Sequence, residues 1–472
     1  MGFKQTTLQC AIVLALGLGT SYADTVGNNP APQSATIKAL KVQLNAMQAQ
    51  LNELAIKVSK ADHDKRKNQQ TIKTLTTKVT KLQQSHTRLV HRSKQLGILA
   101  KAVSRSSVHF DGETGEYFET LPSGTMADAL LVNRDKFKQH ALTIGGNLET
   151  DVQRWFGDSI PATKSGNGPR TYRSGYGVSI SCFDIDFLAL INHWVSVYGS
   201  IAGTPSPGVF KPDIDQAFFT LGNLDKYPLY VSVGKMHIPF GAFTATGPAS
   251  YPLTHAAFHV GTQTQVLVGY HHKGLSTMLS AFNDQTSSVY HRQVDFAYSV
   301  NYTLQANKAL KFDFGGGYVH NLVGLGGVFP QNSTTTTKYP KGMPAWDANL
   351  GAIYGMFGLT GEYIRGFQTN TLSKRPAAWS TGASIMPMVY GAPLTFALSY
   401  SATVNMKDLP MSPTGNPTGA NSLNAGIKNA WIGYVSRQFF NHSLNVGLDM
   451  QYIKTYDNKH STTASIDTTV YF

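Results

Sequence analysis

The sequence predicts an all-β transmembrane barrel of antiparallel strands, preceded by an N-terminal α-helical coiled coil. Two observations predict this fold class. From about residue 140 to the end, polar and apolar residues alternate with a period of two, in segments as long as a tilted membrane strand. Ahead of these segments, apolar residues recur at alternating spacings of three and four between residues 37 and 89.

The composition narrows the class of protein further. Only 14% of the 472 residues are charged, against roughly 25% in an average soluble domain. After the first 23 residues, no segment approaches the ~18 consecutive apolar residues that a membrane-spanning helix needs. The sequence therefore excludes a helical membrane protein and argues against a soluble enzyme.

The basic charge belongs to one segment of the chain. Of 40 Lys and Arg, 14 lie in residues 35–101 beside three acidic residues, whereas residues 102–472 are nearly neutral. Two interpretations stay open: a solvated helix face, or attraction to an anionic surface such as cell wall. We expect no nucleic-acid binding, because no recognisable motif accompanies the charge.

The N-terminus has the three parts of a secretory signal peptide. Lys4 provides the positive region, Cys10 to Leu18 form the apolar run, and Ser21 and Ala23 are small residues ahead of a cleavage site. Removal of this peptide leaves Cys182 as the single cysteine, which excludes an intramolecular disulfide and a four-cysteine zinc site. Secretion without disulfides fits a bacterial envelope protein.

The heptad segment predicts one continuous, self-associating helix. Its register is broken only at Lys65, Asn68 and His86, and it contains neither Gly nor Pro. A hairpin turning at residues 65–68 is the alternative, but a turn would normally reset the register. The oligomeric state stays open between a dimer and the trimer common among membrane barrels. The two heptad positions are occupied by Ile37, Leu44, Leu51, Val58, Ile72 and Val79, and by Leu40, Met47, Leu54, Ala61, Leu75, Leu82 and Leu89.

The barrel strands are predicted from alternating segments such as 142–151, 181–187, 293–302, 310–315 and 444–452. Their apolar faces are rich in Tyr and Phe, as interfacial aromatic girdles require. The final strand carries Val470 and ends at Phe472, which resembles the C-terminal assembly signal of bacterial outer-membrane proteins. About twenty residues per strand and loop predict about 16 strands, with 14 to 18 open.

The predicted organisation has five parts. These are a signal peptide (1–23), a linker (24–34), a basic periplasmic coiled coil (35–100), a linker or short inward segment (101–140) and an outer-membrane β-barrel (141–472).

A local motif resembles a known porin group. Residues 228–241, PLYVSVGKMHIPFG, resemble the signature V-G-K-x-x-x-P-F-G, with Gly234, Lys235, Pro239, Phe240 and Gly241 at its positions. Together with the signal peptide, basic coiled coil and terminal Phe, the chain resembles the LbtU siderophore porin family. The resemblance implies uptake of a ferric siderophore across the outer membrane without a plug domain.

Strand parity predicts which charges line the lumen. Rings of carboxylates in a pore favour cations, although lumen residues are polar in any barrel. Lys311 is the clear inward base. The inward acids are Asp184, Asp186, Asp295, Asp313, Glu362 and Asp449, together with Asp151, Asp347 and Asp467.

Most other basic residues fall in loops or near strand ends. An anionic ferric complex would have to be captured there before it entered an acidic lumen. The candidates are Lys164, Arg170, Arg173, Lys273, Lys338 and Lys341, with Lys374 and Arg375.

Enzymatic and metal sites find little support in the sequence. His255 and His259 have helical ligand spacing, but they fall among loop or strand-end residues without an acidic partner at fixed spacing. Asp184 and Asp186 lack a third catalytic group. We therefore expect no enzyme, no cofactor and no metal.

The leading expectation is an outer-membrane channel or receptor for a ferric siderophore or a similar small solute, with lipid around the barrel. One alternative is a general or anion-preferring porin. The other is an envelope tether, in which the coiled coil binds cell wall and the barrel is an anchor.

Overall fold

A computed structural model describes residues 33–103, 110–111, 116–117, 125–134, 137, 139–164, 169–206, 209–243, 250–283, 294–307, 309–329, 342–369, 374–407, 409–413, 421–440 and 443–472. The predicted signal peptide lies outside the described residues. The chain forms two compact units, Met1–Arg88 and Leu89–Phe472.

The N-terminal helix α1 spans Gln33–Val103 without interruption. The heptad segment therefore continues through residues 65–68 and does not form the alternative hairpin. Its seam residues are open in the single chain: Leu51 is 66% exposed and Leu75 is 54% exposed. Within the described part of the chain, no helix combines the length and the apolar character required to span a membrane.

Sixteen long strands of the described residues form a closed antiparallel barrel. Their order around the barrel follows the chain, and the last strand pairs with the first through Ile466 and Val152. The strands are β3 (Ala141–Gly157), β6 (Gly175–Leu190), β7 (Val195–Ser206), β8 (Val209–Gly222), β9 (Leu229–His237), β10 (Thr262–His272), β11 (Leu275–Asn283), β12 (Val294–Gln305), β13 (Leu310–Val319), β14 (Ala345–Tyr354), β15 (Phe357–Gly366), β16 (Ala377–Ile385), β18 (Ala392–Val404), β20 (Ile427–Phe439), β21 (Leu444–Thr455) and β22 (His460–Tyr471).

The remaining described strands are short. β4 (Ile160–Lys164), β5 (Pro169–Tyr172) and β19 (Asn421–Leu423) form a separate three-stranded sheet. β1 (Phe110–Asp111) pairs with β2 (Glu116–Tyr117), and β17 (Met388–Val389) pairs with the start of β18.

The barrel wall has an apolar outer face and a polar inner face. Neighbouring residues alternate between them: Asp151 is buried inside and Val152 is exposed outside, and Ser280 is buried while Leu279 is exposed. Alternation of this kind allows one strand to face lipid and lumen at once. The predicted fold class, a transmembrane barrel of about 16 strands after an N-terminal helix, is confirmed.

The two ends of the barrel differ in their connections. Where the chain enters at Ala141 and finishes at Phe472, tight turns such as 273–274 and 355–356 join the strands; we call this the short-turn end. The connections 238–261 and 320–344 lie at the opposite, long-loop end. Both ends send chain segments into the lumen: helix α2 (Met126–Val132) at the short-turn end, and helix α3 (Leu253–Phe258) in the connection 238–261.

Candidate functional site: the barrel lumen and its crossing loop

The connection between β9 and β10, residues 238–261, runs across the lumen and is called the crossing loop; the structure describes it at 238–243 and 250–261. Its helix α3 packs against β15, β16, β18 and β20. Those strands lie across the barrel from β9 and β10 in the strand order. The loop therefore narrows the passage through the barrel.

Two buried carboxylates on the far wall hold the start of the crossing loop. Glu362 Oε1 accepts backbone hydrogen bonds from Ala242 N at 2.6 Å and Phe243 N at 3.1 Å. Asp347 Oδ1 accepts one from Gly241 N at 3.2 Å. Successive N–H groups in a turn of this kind form an anion-binding nest. The sequence identified Glu362 as a lumen residue, and the structure shows that its bonds go to the loop.

The helical part of the loop is also tied to the wall by hydrogen bonds. Ser250 Oγ donates to Asp449 Oδ1 at 2.7 Å, and Leu253 N donates to Ser401 Oγ at 3.1 Å. Leu253, Ala257 and Phe258 of this helix are fully buried. Polar anchors and apolar packing therefore fix the loop at several independent points.

The porin-like motif coincides with the start of the crossing loop. Gly234 has φ +139°, and a Cβ there would lie 2.2 Å from the Ala217 carbonyl oxygen. Gly241 has φ +76°, which places its amide toward Asp347. Pro239 and Phe240 are buried beside it. These motif residues shape the turn that leaves the wall.

Lys235 of the motif does not point into the lumen. It is paired in register with Ala217 and Thr264, both exposed on the outer face. Its Nζ contacts the carbonyl oxygen of Ile214 and lies 3.8 Å from Asp213 Oδ2. Lys235 therefore belongs to the outer surface of the barrel.

A second segment, residues 320–329 after β13, packs against the crossing loop. Gly261 N donates to Leu325 O at 2.7 Å, and Val328 N donates to Ala257 O at 3.1 Å. The rings of Phe258 and Phe329 are 5.5 Å apart. This packing closes an apolar cluster at the long-loop end, inside the polar wall.

At the short-turn end the lumen is partly filled by α2, which the sequence indicated only as an optional inward segment. Its Asp128 is buried, accepts from Ser276 Oγ at 3.3 Å and lies 3.5 Å from His271 Nδ1. Leu130 and Leu131 pack into a cluster with inward wall residues such as Tyr230 and Met278. The sequence signal was weak, because MADALLV is too short to show a helical period.

Arg134, just beyond α2, fixes the segment to two turns of the wall. Its Nη1 donates to Gly222 O and its Nη2 to Asn192 O, both at 2.7 Å. Burial lowers the pKa of the Arg134 guanidinium, and the nearby Asp225 carboxylate opposes that shift. The guanidinium nevertheless keeps its charge at physiological pH.

The other predicted lumen residues lie on the inner wall and bond to their neighbours. Asp186 Oδ1 accepts from Tyr198 Oη at 2.7 Å, and Cys182 Sγ donates to Asp184 Oδ2 at 3.0 Å. Asp295 Oδ1 accepts from Phe296 N at 2.9 Å. Near the short-turn end, Lys311 Nζ lies 3.4 Å from Asp313 Oδ2, and Thr303 Oγ1 donates to Asp313 Oδ1 at 2.6 Å.

One parity assignment was wrong. Strict alternation along the predicted segment 181–187 would put Ser181 on the outward face with Phe183, and Cys182 on the inward face with Asp184. The structure has a bulge in the pairing of β3 with β6 at Glu149, and Ser181 Oγ donates to Glu149 Oε1 at 2.9 Å. A single extra residue moves the following side chains to the other face.

Three inner carboxylates converge next to this bulge. Oxygens of Glu149, Asp151 and Asp467 lie within 4.8 Å of one another. Carboxylates this close repel one another when ionised. Their oxygens are the donors that Ca²⁺ or Mg²⁺ prefers, and these three are the residues of the described chain best suited to hold a cation. We assign no ion to them.

The candidate loop bases do not form one group. Arg173 is exposed at the long-loop end, whereas Lys273 occupies a two-residue turn at the short-turn end. Lys374 and Arg375 precede β16 at the long-loop end. The side chains of Lys164 and Arg170 and all of Lys338 and Lys341 lie outside the described part of the chain. Lys273 is therefore remote from Arg173 and cannot act with it in one capture site.

The end of the chain closes the barrel. Gly146 N donates to Phe472 O at 3.0 Å, and Phe472 N donates to Gly146 O at 3.1 Å. Val470 is exposed on the outer face, two residues before the end. The residues of the predicted assembly signal thus lie at the seam between the last and the first strand.

The crossing loop also carries a stack of rings that the sequence did not predict. His255 lies in α3, and not in a loop or strand end as the sequence suggested. Its ring is 4.3 Å from that of Tyr251 and 4.4 Å from that of His259. The Phe243 ring meets the His255 ring edge-on at 5.6 Å.

Comparison with known proteins gives distant relatives. Residues 109–341 match the family described as "Protein of unknown function (DUF3573)". The chain is 22% identical over 275 residues to UPF0422 protein lpl2888 of Legionella pneumophila, strain Lens, and the match spans 52% of each protein. It is 21% identical over 418 residues to a UPF0422 protein of Coxiella burnetii, across 83% of each. The chain thus spans about half the length of the Legionella relative.

Two solved structures match this chain over the same share of its length. The anion-selective porin from Comamonas acidovorans is matched over 70% of this chain and 99% of its own, with 12% identity and a TM-score of 0.47. The outer membrane channel DcaP of Acinetobacter baumannii is matched over 70% of this chain and 97% of its own, with 10% identity and a TM-score of 0.43.

Proposed function

We propose that this protein is an outer-membrane channel through which small solutes diffuse past the crossing loop. The observation that carries the proposal is the closed barrel itself, with an apolar outer face, a polar inner face and a loop anchored across its lumen. An outer face of this kind is stable in lipid, and a polar lumen is hydrated. The proposal is of a non-enzymatic channel.

The orientation follows from the two ends of the barrel. Bacterial barrels have short periplasmic turns and longer extracellular loops. The short-turn end, with Ala141 and Phe472, then faces the periplasm. We place α1 in the periplasm on the same argument, because the chain enters the barrel at that end. Its exposed heptad seam supports self-association, and its basic side chains support contact with cell wall.

The proposed solute is a ferric siderophore or a similar small molecule. The support for this finer assignment is the porin-like motif, which shapes the start of the crossing loop. In this proposal the barrel acts without a plug domain. Among the described residues ahead of the first barrel strand, the helix inside the lumen is α2, which spans only Met126–Val132.

A general porin is the second candidate. Glu362, Asp347 and Asp449, which could have formed a solute site, bond instead to the crossing loop. A wall whose acids hold the loop offers fewer groups to recognise one solute. The remaining inner acids favour cations over anions, so an anion-preferring pore has less support.

Uptake of radioactive iron tests the finer assignment. A deletion strain grown under iron starvation is supplied with the ferric form of the siderophore that the parent strain secretes. We expect uptake to fall in the deletion strain and to return with a plasmid copy of the gene. Unchanged uptake would remove the siderophore assignment and leave the general porin.

A further inference from the structure

The ring stack on the crossing loop consists of Tyr251, His255 and His259, with Phe243 at its side. The three stacked rings are spaced by 4.3 and 4.4 Å, and Phe243 contacts His255 and His259 at 5.6 and 6.0 Å. Offset stacks and edge-on contacts of this spacing are the favoured arrangements of aromatic rings. Four rings thus form one cluster on the crossing loop.

The stack lies on the partly exposed side of α3. The opposite side is buried: Leu253 packs toward the wall, and Ala257 and Phe258 meet residues 320–329. Tyr251, His255 and His259 each keep a partly exposed surface inside the barrel. A solute that passes the crossing loop therefore meets these rings.

The loop has anchors besides the rings. The loop is anchored by backbone hydrogen bonds to Glu362 and Asp347 and by Ser250 on Asp449. The buried residues of α3 supply its apolar packing.

The charges on the inner wall determine which sign of charge a solute at the ring stack should carry. Inner-wall carboxylates outnumber the inner base Lys311, which is itself paired with Asp313. The ring faces of Tyr251 and Phe243 attract cations, and all four rings can stack on another ring. We propose that the ring stack is a binding subsite for planar aromatic solutes, neutral or cationic, that cross the channel. This inference rests on the proposed channel function and adds a substrate class to it.

Current block in planar bilayers tests the subsite with two matched probes. Benzylamine and cyclohexylmethylamine have the same charge and similar size, but only the first is aromatic. For the full-length protein in KCl, we expect benzylamine to reduce the current at up to about tenfold lower concentration, because both probes carry the ammonium group but only the ring of benzylamine can stack on the protein rings. In His255→Leu/His259→Leu we expect the two probes to block equally.

Two further variants keep the test decisive. His255→Phe/His259→Phe retains the rings and should retain the preference, and Tyr251→Leu should reduce it even if the double leucine variant does not fold. The control is His272→Leu, which replaces an exposed histidine at the far end of β10. The two probes should block this variant as they block the parent protein. Heat-modifiable gel mobility confirms that each barrel is folded.

The outcomes separate the inference from the channel function. Normal KCl current with equal block by both probes in the parent protein would overturn the subsite and leave the channel. A preference that survives both Tyr251→Leu and His255→Leu/His259→Leu would also overturn it. Absence of KCl current would overturn the channel function, and the subsite with it.

Discussion

At the scale of single residues, the inward position of a carboxylate does not show which group the carboxylate binds. Strand parity predicts that Glu362 and Asp347 point inward, and both are buried on the inner wall. Parity cannot show that their partners are the amides of residues 241–243, more than 100 positions away in the chain. The sequence thus predicts the face, but the role depends on a loop whose path has no local signal.

Removing the main loop anchor should widen the passage. In Glu362→Ala the amides of Ala242 and Phe243 lose their carboxyl acceptor, and leaving a buried donor without a partner costs about 1–3 kcal/mol. We expect larger and noisier single-channel currents. Asp313→Ala is the control, because Asp313 bonds Thr303 and Lys311 and not the loop. Equal currents in parent and Glu362→Ala would contradict the anchoring role.

Gly241 should tolerate no side chain. Its φ of +76° is unfavourable for other residues, and a Cβ would lie 2.3 Å from the ring of Phe243. The left-handed conformation alone costs about 1–2 kcal/mol. We expect Gly241→Ala to unfold at a lower urea concentration, while Gly433→Ala, where a Cβ meets nothing within 4 Å, should not. A matching loss in both variants would refute the local explanation.

At the scale of elements, the strands follow from the sequence because lipid and lumen impose opposite demands on neighbouring residues. Residues 294–302 and 444–452 of the predicted segments lie in β12 and β21. The bulge beside Ser181 could not be predicted, since one inserted residue leaves the composition of the strand unchanged. Helices α2 and α3 are too short for a period, and only their contacts inside the barrel define them.

Helix α2 should limit the current at the short-turn end. Arg134 holds the segment through two hydrogen bonds of 2.7 Å to the carbonyl oxygens of Gly222 and Asn192. Arg134→Gln loses the charge and the fork of donors. We expect an increased mean conductance in bilayers. Arg173→Gln, an exposed arginine at the opposite end, should conduct like the parent; no difference between the two variants would show that α2 is not held by Arg134.

The heptad seam of α1 should control self-association. Leu51 and Leu75 are more than half exposed in one chain, and a lone helix buries none of this surface. We expect the full-length protein to sediment in detergent as an oligomer, and Leu51→Lys/Leu75→Lys to sediment as a smaller species. Asn52→Lys/Thr77→Lys, at heptad positions away from the seam and its flanks, is the control. A monomeric parent protein would rule out the coiled coil.

At the scale of the whole molecule, charge is divided between the parts of the chain. The surplus of basic residues lies in residues 35–101, whereas the inner wall of the barrel is acidic. The net charge of the whole chain therefore does not describe the inner wall of the barrel. Partners of the helix and solutes of the barrel are separate questions.

Permeability is the property on which the whole account depends. Liposomes that contain the purified full-length protein are placed in iso-osmotic L-arabinose, a small neutral solute that needs no recognition. We predict swelling faster than that of protein-free liposomes, and faster still with Glu362→Ala. The channel function is contradicted if liposomes that contain folded protein do not swell in arabinose and the protein carries no KCl current. That result would favour an envelope tether anchored by the barrel.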